Sequence, residues 1–414
     1  MITNRELNDK GSLLQPSDSE QGSMERYLSP LVRDIKPSGI RKFFDLVSAS
    51  KDIITLGVGE PDFVTPWHVR EACVYSLERG YTRYTSNAGM IELREAIASY
   101  LDSSFGTSYD PEKEVLVTVG GSEAIDLALR ALIRPGDEVL VPEPCYISYS
   151  PITSIGGGIP VGIETFAKDG FKLTAEALEA SITPKSKVLI LCYPSNPTGA
   201  TMTAEDWLPI AKVVEKHDLI VISDEIYAEL SYGQGKHASF AAAPGMKDRT
   251  ILVSGFSKAF AMTGWRMGYA CGHPELISAM LKIHQYTVMC APVMGQVAAL
   301  EALTNGLGEK DKMVESYNRR RRLVVQGLRD AGLDCHEPEG AFYAFPSIQS
   351  TGLTSETFAQ RLLVEEKVAA VPGDVFGLGG EGFLRCSYAT SVAQLNEAMD
   401  RIGQFVYKVK REGA

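Results

Sequence analysis

In the stretch SGFSKAFAMTGWRMGYA, from Ser254 to Ala270, small, apolar and aromatic residues surround one lysine, Lys258, and one arginine, Arg266. Burial lowers a lysine pKa and leaves a nucleophilic amine, the condition for a Schiff base with a carbonyl compound. Arg266 offers a planar fork suited to phosphate. Other polar groups stand where apolar runs end. Asp224 closes LIVISD, with Tyr227 just beyond, and a carboxylate there is costly unless a cation or hydrogen-bond donors meet it. Asn196 is held between Pro194 and Pro197 in YPSNPTG, in backbone that continues neither strand nor helix. Gly120, Gly121 and Ser122 follow EVLVTV and open a helical pattern. Ser122 is expected to cap that helix, and the glycines let backbone N–H groups approach an anion. Taken singly, each has a plainer reading: an ion-paired lysine, a capping aspartate, a rigid turn, an ordinary helix start.

The elements that position these groups are legible too. The runs EVLVTVG (114–120), DEVLVP (137–142), KVLILCY (187–193), LIVISD (219–224) and TILVSG (250–255) are rich in Val, Ile and Leu and alternate with helical patterns. That alternation predicts βα units and a largely parallel, buried sheet. In such α/β folds ligands bind outside the carboxyl ends of the strands, where the polar groups above fall. Jointly they offer a phosphate cradle, an amine for an aldehyde and an acid for a ring nitrogen, the set that pyridoxal 5'-phosphate needs.

Residues 1–23 are polar and read as a disordered tail, 24–65 as an irregular segment expected to pack with a small domain, and 66–305 as the large cofactor-binding domain. Residues 306–414 mix helices with the short strands GAFYAFP (340–346) and GFLRCSYA (382–389), as in a smaller α+β domain. The run NRRRR (318–322) is expected to be a solvated helix face.

Acidic residues outnumber basic ones, 52 to 41, which argues against a nucleic-acid partner. Seven scattered cysteines without a C-x-x-C pair read as reduced thiols of a cytoplasmic protein rather than a disulfide frame or zinc site. The histidines show no metal-ligand spacing, and no run reads as a signal peptide or membrane span.

GFSKAFAMTGWRMG, YPSNPTG, SDEIY, ELREAIA, PGDEVLVP and FLRCSYA together resemble the class I/II aminotransferases, the fold-type I pyridoxal-phosphate enzymes of the aspartate aminotransferase superfamily. The resemblance covers about residues 25–410. It implies a large α/β/α domain with a mostly parallel sheet, a smaller α+β domain and a homodimer with shared sites. By the same resemblance, Lys258 would carry the cofactor as a Schiff base and move the proton, and Asp224 would pair with the ring nitrogen. Tyr227 and Asn196 would bond the ring oxygen, and Tyr146, in PEPCYISY, would stack on the ring. Gly121, Ser122 and Arg266 would hold the phosphate, joined by Tyr84 of YTRYTSNAG from the neighbouring subunit. Arg385 would bind the substrate carboxylate, with Gly59 of LGVGEPD and Asn196 beside it.

The chain departs from the pattern in two places. Many relatives have a serine phosphate ligand where Gly255 stands, and Ser257 or Ser254 would replace it. Some aspartate-specific relatives have a lysine where Ser122 stands, so strict aspartate specificity does not follow. SGIRKFFDL, near the start, resembles several branches and does not select a substrate. The implied reaction is a ping-pong transfer of an amino group from an L-amino acid, aspartate, aromatic or similar, to a 2-oxo acid such as 2-oxoglutarate. A β-lyase, decarboxylase or synthase on the same fold is the alternative chemistry. A transcription regulator with an aminotransferase-like sensor domain is the alternative without catalysis.

Overall fold

The computed structural model describes residues 24–35, 52–233 and 236–412. The chain divides into two units, Met1–Pro37 and Ser38–Ala414. In the first, the described residues form a 3-10 turn, Met24–Tyr27, and a short helix, Pro30–Arg33. The expected tail, 1–23, and the SGIRKFFDL stretch lie outside the described residues.

The second unit contains strands β1 (Ile54–Thr55), β2 (Val115–Thr118), β3 (Glu138–Glu143), β4 (Ile159–Glu164), β5 (Ser186–Cys192), β6 (Ile220–Asp224), β7 (Thr250–Gly255), β8 (Gly268–Cys271), β9 (Tyr343–Ala344), β10 (Val368–Ala369), β11 (Val371–Pro372) and β12 (Leu384–Ser387). Seven of them form one sheet in the order β2-β8-β7-β6-β5-β3-β4. Pairing is parallel from β7 to β4, and β8 runs against both β7 and β2.

The apolar runs are near-continuous because helices cover both faces of this sheet. On one face Val115, Val117, Leu252 and Tyr269 pack with Leu93, Ile97 and Ala298. On the other, Leu116, Ile222, Ile251 and Val253 pack with Ala124, Leu127, Ala128 and Met280. The five predicted runs became β2, β3, β5, β6 and β7. Two strands of this sheet were not expected. β4 is a half-exposed edge strand carrying Pro160 and Gly162, and β8 follows a tight turn in a glycine-bearing stretch.

A second hydrophobic cluster lies under the helices Leu307–Asp330, Ser355–Glu366 and Val392–Glu412, with Phe358, Phe405, Val324 and Leu395 fully buried. It includes β9 and β12 of the small sheet β11-β12-β9 and the pair β1-β10. β1 is parallel to β10, so the chain that precedes the large sheet is hydrogen-bonded into this second cluster. Here one expectation is corrected. NRRRR is not a solvated face: Arg320 and Arg321 are only 9% and 8% exposed, whereas Arg319 and Arg322 face solvent. Helical periodicity turns two of the four arginines inward, and each finds an acidic partner there.

Candidate active site

Five strands that run in one direction deliver the site from their carboxyl ends. Asp224 is the last residue of β6, Lys258 follows β7, Asn196 follows β5, Tyr146 follows β3, and the Gly120–Leu132 helix follows β2. They surround a cavity of about 700 Å³ that reaches across to Gly59, Tyr343 and Arg385.

The Lys258 amine donates to the Gly59 carbonyl at 2.6 Å. Burial lowers its pKa to about 8, and the Arg385 and Arg266 cations push the same way. Asp224 is buried and accepts from the Tyr149 hydroxyl at 2.7 Å and from the Ile226 N–H at 3.2 Å. Burial raises its pKa to about 6, although the Tyr149 bond opposes the rise. No helix follows Asp224, so the capping role open to it does not arise. Tyr227 and Tyr343 share a hydrogen bond of 2.9 Å between their hydroxyls.

Arg385, on β12, is 4% exposed. Its Nη1 donates to Asn196 Oδ1 at 2.9 Å and its Nη2 to the Gly57 carbonyl at 2.7 Å. Its Nε is buried with no partner among the described residues. The guanidinium lies 4.5 Å from the Tyr343 ring centre and 5.0 Å from that of Phe376.

At the other end, Arg266 adopts a left-handed conformation, φ 53°, after a short turn and donates to the Thr263 carbonyl. Its guanidinium lies against Gly120, where a Cβ would stand 2.5 Å from Nη2. Gly120 itself has φ +75°, the left-handed region that favours glycine. Ser122 lines the cavity but is not the helix cap. Val119 holds the cap position, and its N–H donates to the Glu123 carboxylate within the first turn.

Gly121, Ser122, Tyr146, Asn196, Asp224, Tyr227, Ser257, Lys258, Arg266, Gly59 and Arg385 thus all line one cavity. Ser254 does not; its hydroxyl donates to the Glu225 carbonyl. Tyr84 is not among the lining residues of this cavity either and is 79% exposed. The sequence reading missed Tyr149, Tyr343, Gly57 and Phe376. Aromatic residues in apolar stretches read as core by default, and no local signal separates these from the others.

The arrangement can bind a carboxylate and a phosphate at opposite ends of a cavity that has a weakened ammonium and a buried acid between them. Comparison with known proteins agrees. The model of aminotransferase class I and II matches residues 51–402, and the chain belongs to that family. A Bacillus subtilis chain named YugH, which its name describes as an aminotransferase without a substrate, is 57% identical over 93% of this chain and 100% of its own. An aspartate aminotransferase of Pyrococcus abyssi is 44% identical over 91% and 97%. The crystal structure of an aromatic aminotransferase from Pyrococcus horikoshii superimposes with a TM-score of 0.85 at 43% identity, covering 88% and 99%.

The protein is therefore a transaminase that depends on pyridoxal phosphate. The cavity fits that group. Asp224 is buried without an ion-pair partner among the described residues, burial brings the lysine amine down to a pKa of about 8, and a glycine cradle opens beside Arg266.

Proposed function

We propose that this site exchanges an amino group between an L-amino acid, such as aspartate or an aromatic amino acid, and a 2-oxo acid, with 2-oxoglutarate as acceptor. The observation that carries the reading is Arg385: a buried guanidinium whose Nε has no partner among the described residues, on the same cavity as the Lys258 amine. Donor and acceptor share an α-carboxylate, and an arginine fork is the group best matched to it. The substrates in the names of the two relatives from Pyrococcus support this choice of donors.

When bound, pyridoxal phosphate supplies the aldehyde that takes the amino group and a ring that accepts the electrons left when Cα–H breaks. Lys258 would provide the amine that holds the cofactor and would carry the proton released at the substrate Cα. A pKa near 8 suits that traffic at neutral pH. Asp224 keeps the proton on the ring nitrogen. Tyr227 and Asn196 would hydrogen-bond the ring oxygen, and Tyr146 would stack against the ring. Gly121, Ser122, Ser257 and Arg266 hold the phosphate. Ser257 takes the place of the missing serine, since Ser254 is engaged with Glu225. Gly59 and Asn196 flank the substrate carboxylate on Arg385.

In this reading the protein is a homodimer in which Tyr84 reaches the partner subunit's phosphate. Residues 66–305 carry the cofactor, 306–414 form the second domain, and the enzyme works in the cytoplasm, where its free cysteines stay reduced.

The test is an absorption spectrum of the cofactor-loaded protein before and after L-glutamate, with no acceptor present. Conversion of the long-wavelength band with release of 2-oxoglutarate is expected. A band that ignores glutamate, aspartate and phenylalanine, together with pyruvate and ammonia from another amino acid, would overturn it in favour of a lyase.

A further inference from the structure

Between Leu56 and Thr65 the chain has no regular secondary structure, yet it supplies two acceptors to the site. The Gly57 carbonyl takes Arg385 Nη2 and the Gly59 carbonyl takes Lys258 Nζ. Both ends of this segment are fixed. Leu56 is hydrogen-bonded to Ala369 and Ser387, and the Thr65 hydroxyl donates to Ala261 and accepts from Trp265. Between them, the principal anchor is one side chain on the Leu307–Asp330 helix. Arg320 Nη1 reaches both carboxylate oxygens of Asp62, at 2.7 and 2.8 Å. The guanidinium also lies 5.1 Å from the Phe63 ring centre and 5.6 Å from that of Tyr317, and Phe63 meets Tyr317 edge-on at 5.3 Å.

The next residue does the same for the opposite wall. Arg321 Nη1 donates to Glu337 at 2.8 Å and to the Pro338 carbonyl at 3.0 Å, at the start of the turn that leads to Tyr343. The two walls meet where a Cβ on Gly59 would stand 2.8 Å from the Tyr343 hydroxyl.

We propose that Arg320 is a positioning residue for substrate recognition: through Asp62 it holds the Gly57–Phe63 segment in the place where its carbonyls orient Arg385 and Lys258. This rests on the assignment of Arg385 to the substrate α-carboxylate. Loss of the anchor frees the segment and lets the two cations turn away from the substrate. The effect falls on amino-acid and 2-oxo-acid substrates alike, because both present that carboxylate.

The experiment compares Arg320→Ala, Arg320→Lys, Asp62→Asn and Arg385→Ala in the cofactor-loaded full chain. KM and kcat are measured for donor and acceptor, with amide hydrogen exchange over residues 57–63 and the thermal midpoint. Arg320→Ala and Asp62→Asn are expected to raise KM about tenfold or more for both substrates and to speed exchange in the segment. A chain carrying both Arg320→Ala and Asp62→Asn is expected to be no worse than either single variant, and Arg320→Lys to fall between wild type and alanine. A lowered thermal midpoint with unchanged KM and unchanged exchange in the segment would make the pair merely structural and overturn the proposal. If Arg320→Ala does not fold, Asp62→Asn decides the matter from the partly exposed side of the pair. If Arg385→Ala also leaves KM unchanged, the carboxylate assignment fails rather than the anchor alone.

Discussion

Lys258 and Asp224 are each held in the protonation state their surroundings disfavour least, at a cost to the cofactor-free protein. Burial raises the Asp224 pKa from 3.8 to about 6, so the folded chain binds that proton more tightly than the unfolded chain. The resulting stability is complete below pH 3.8 and is lost as pH rises through 6. Burial lowers the Lys258 pKa from 10.5 to about 8, so the unfolded chain holds that proton more firmly and stability is regained only between pH 8 and 10.5. Each shift of about two pH units is worth roughly 2–3 kcal/mol. The cofactor-free protein therefore carries both deficits between pH 6 and 8. In denaturant titrations from pH 4 to 6, the cofactor-free wild type is expected to lose stability relative to Asp224→Asn by up to about that amount. Parallel curves would contradict the raised pKa.

Tyr149 acts on the same carboxylate. Tyr149→Phe leaves a buried oxygen without its donor, at a cost of about 1–3 kcal/mol, and raises the Asp224 pKa further. Cofactor affinity measured against pH should then fall away at a higher pH than in wild type. Lys258→Ala is expected to cut turnover by at least about 10³-fold while phosphate-ended cofactor still binds, as stopped-flow kinetics and equilibrium dialysis would show. These residues were legible because a charged group at the end of an apolar run is rare. Tyr149 was not, since tyrosine in such a place is ordinary.

At the scale of elements, the strands that carry the site were readable because burial on both faces removes polar residues from β2, β5, β6 and β7. β4 escaped because an edge strand needs no such purity, and its Pro160 and Gly162 read as turn residues. The helix start after β2 was placed correctly, but Val119 rather than Ser122 holds the cap position, with no side-chain cap bond, and the Glu123 carboxylate takes the Val119 N–H from within the first turn. Both residue types suit a helix N-terminus, and only tertiary packing decides between them. Arg320 and Arg321 were misread for a related reason: a basic run on a helix is usually solvated, and their acidic partners lie far away in sequence or past a turn.

The β7–β8 pairing also accounts for the absent serine. A Cβ on Gly255 would stand 2.7 Å from the Met267 carbonyl oxygen and 2.9 Å from Gly268 Cα, both backbone atoms. Gly255→Ser, which restores the serine that the family resemblance leads one to expect, should therefore destabilise this chain by about 1–3 kcal/mol in denaturant titration. It should leave phosphate affinity no better than wild type. A stabilised variant with tighter cofactor binding would show that the two strands can part at little cost.

The scale of the whole molecule is set by what this fold leaves uncovered. The Trp67–Glu78 helix buries Val69 and Ser76 on one side. Its opposite side presents Trp67, Val74, Tyr75 and Leu77, each between 46% and 62% exposed. Tyr84 at 79% and Tyr286 at 87% add two large aromatic side chains to the exposed surface. Apolar surface gathered on one helix face is a mark of association, and the proposed site needs Tyr84 from a second subunit. Dimerisation and cofactor binding should then be one equilibrium. Light scattering of the purified protein is expected to give about 90 kDa, twice the 45.0 kDa chain. Charge placed on the exposed face, as in Trp67→Glu with Tyr75→Glu, should yield folded 45.0 kDa monomers with cofactor affinity reduced at least about tenfold. Tyr84→Phe should weaken cofactor binding while the dimer persists. In mixtures of Lys258→Ala and Tyr84→Phe chains, hybrid dimers then hold one site with both defects and one with neither, so turnover should exceed the average of the two parents. Mixtures that only average the parents would confine each site to a single chain and remove Tyr84 from it.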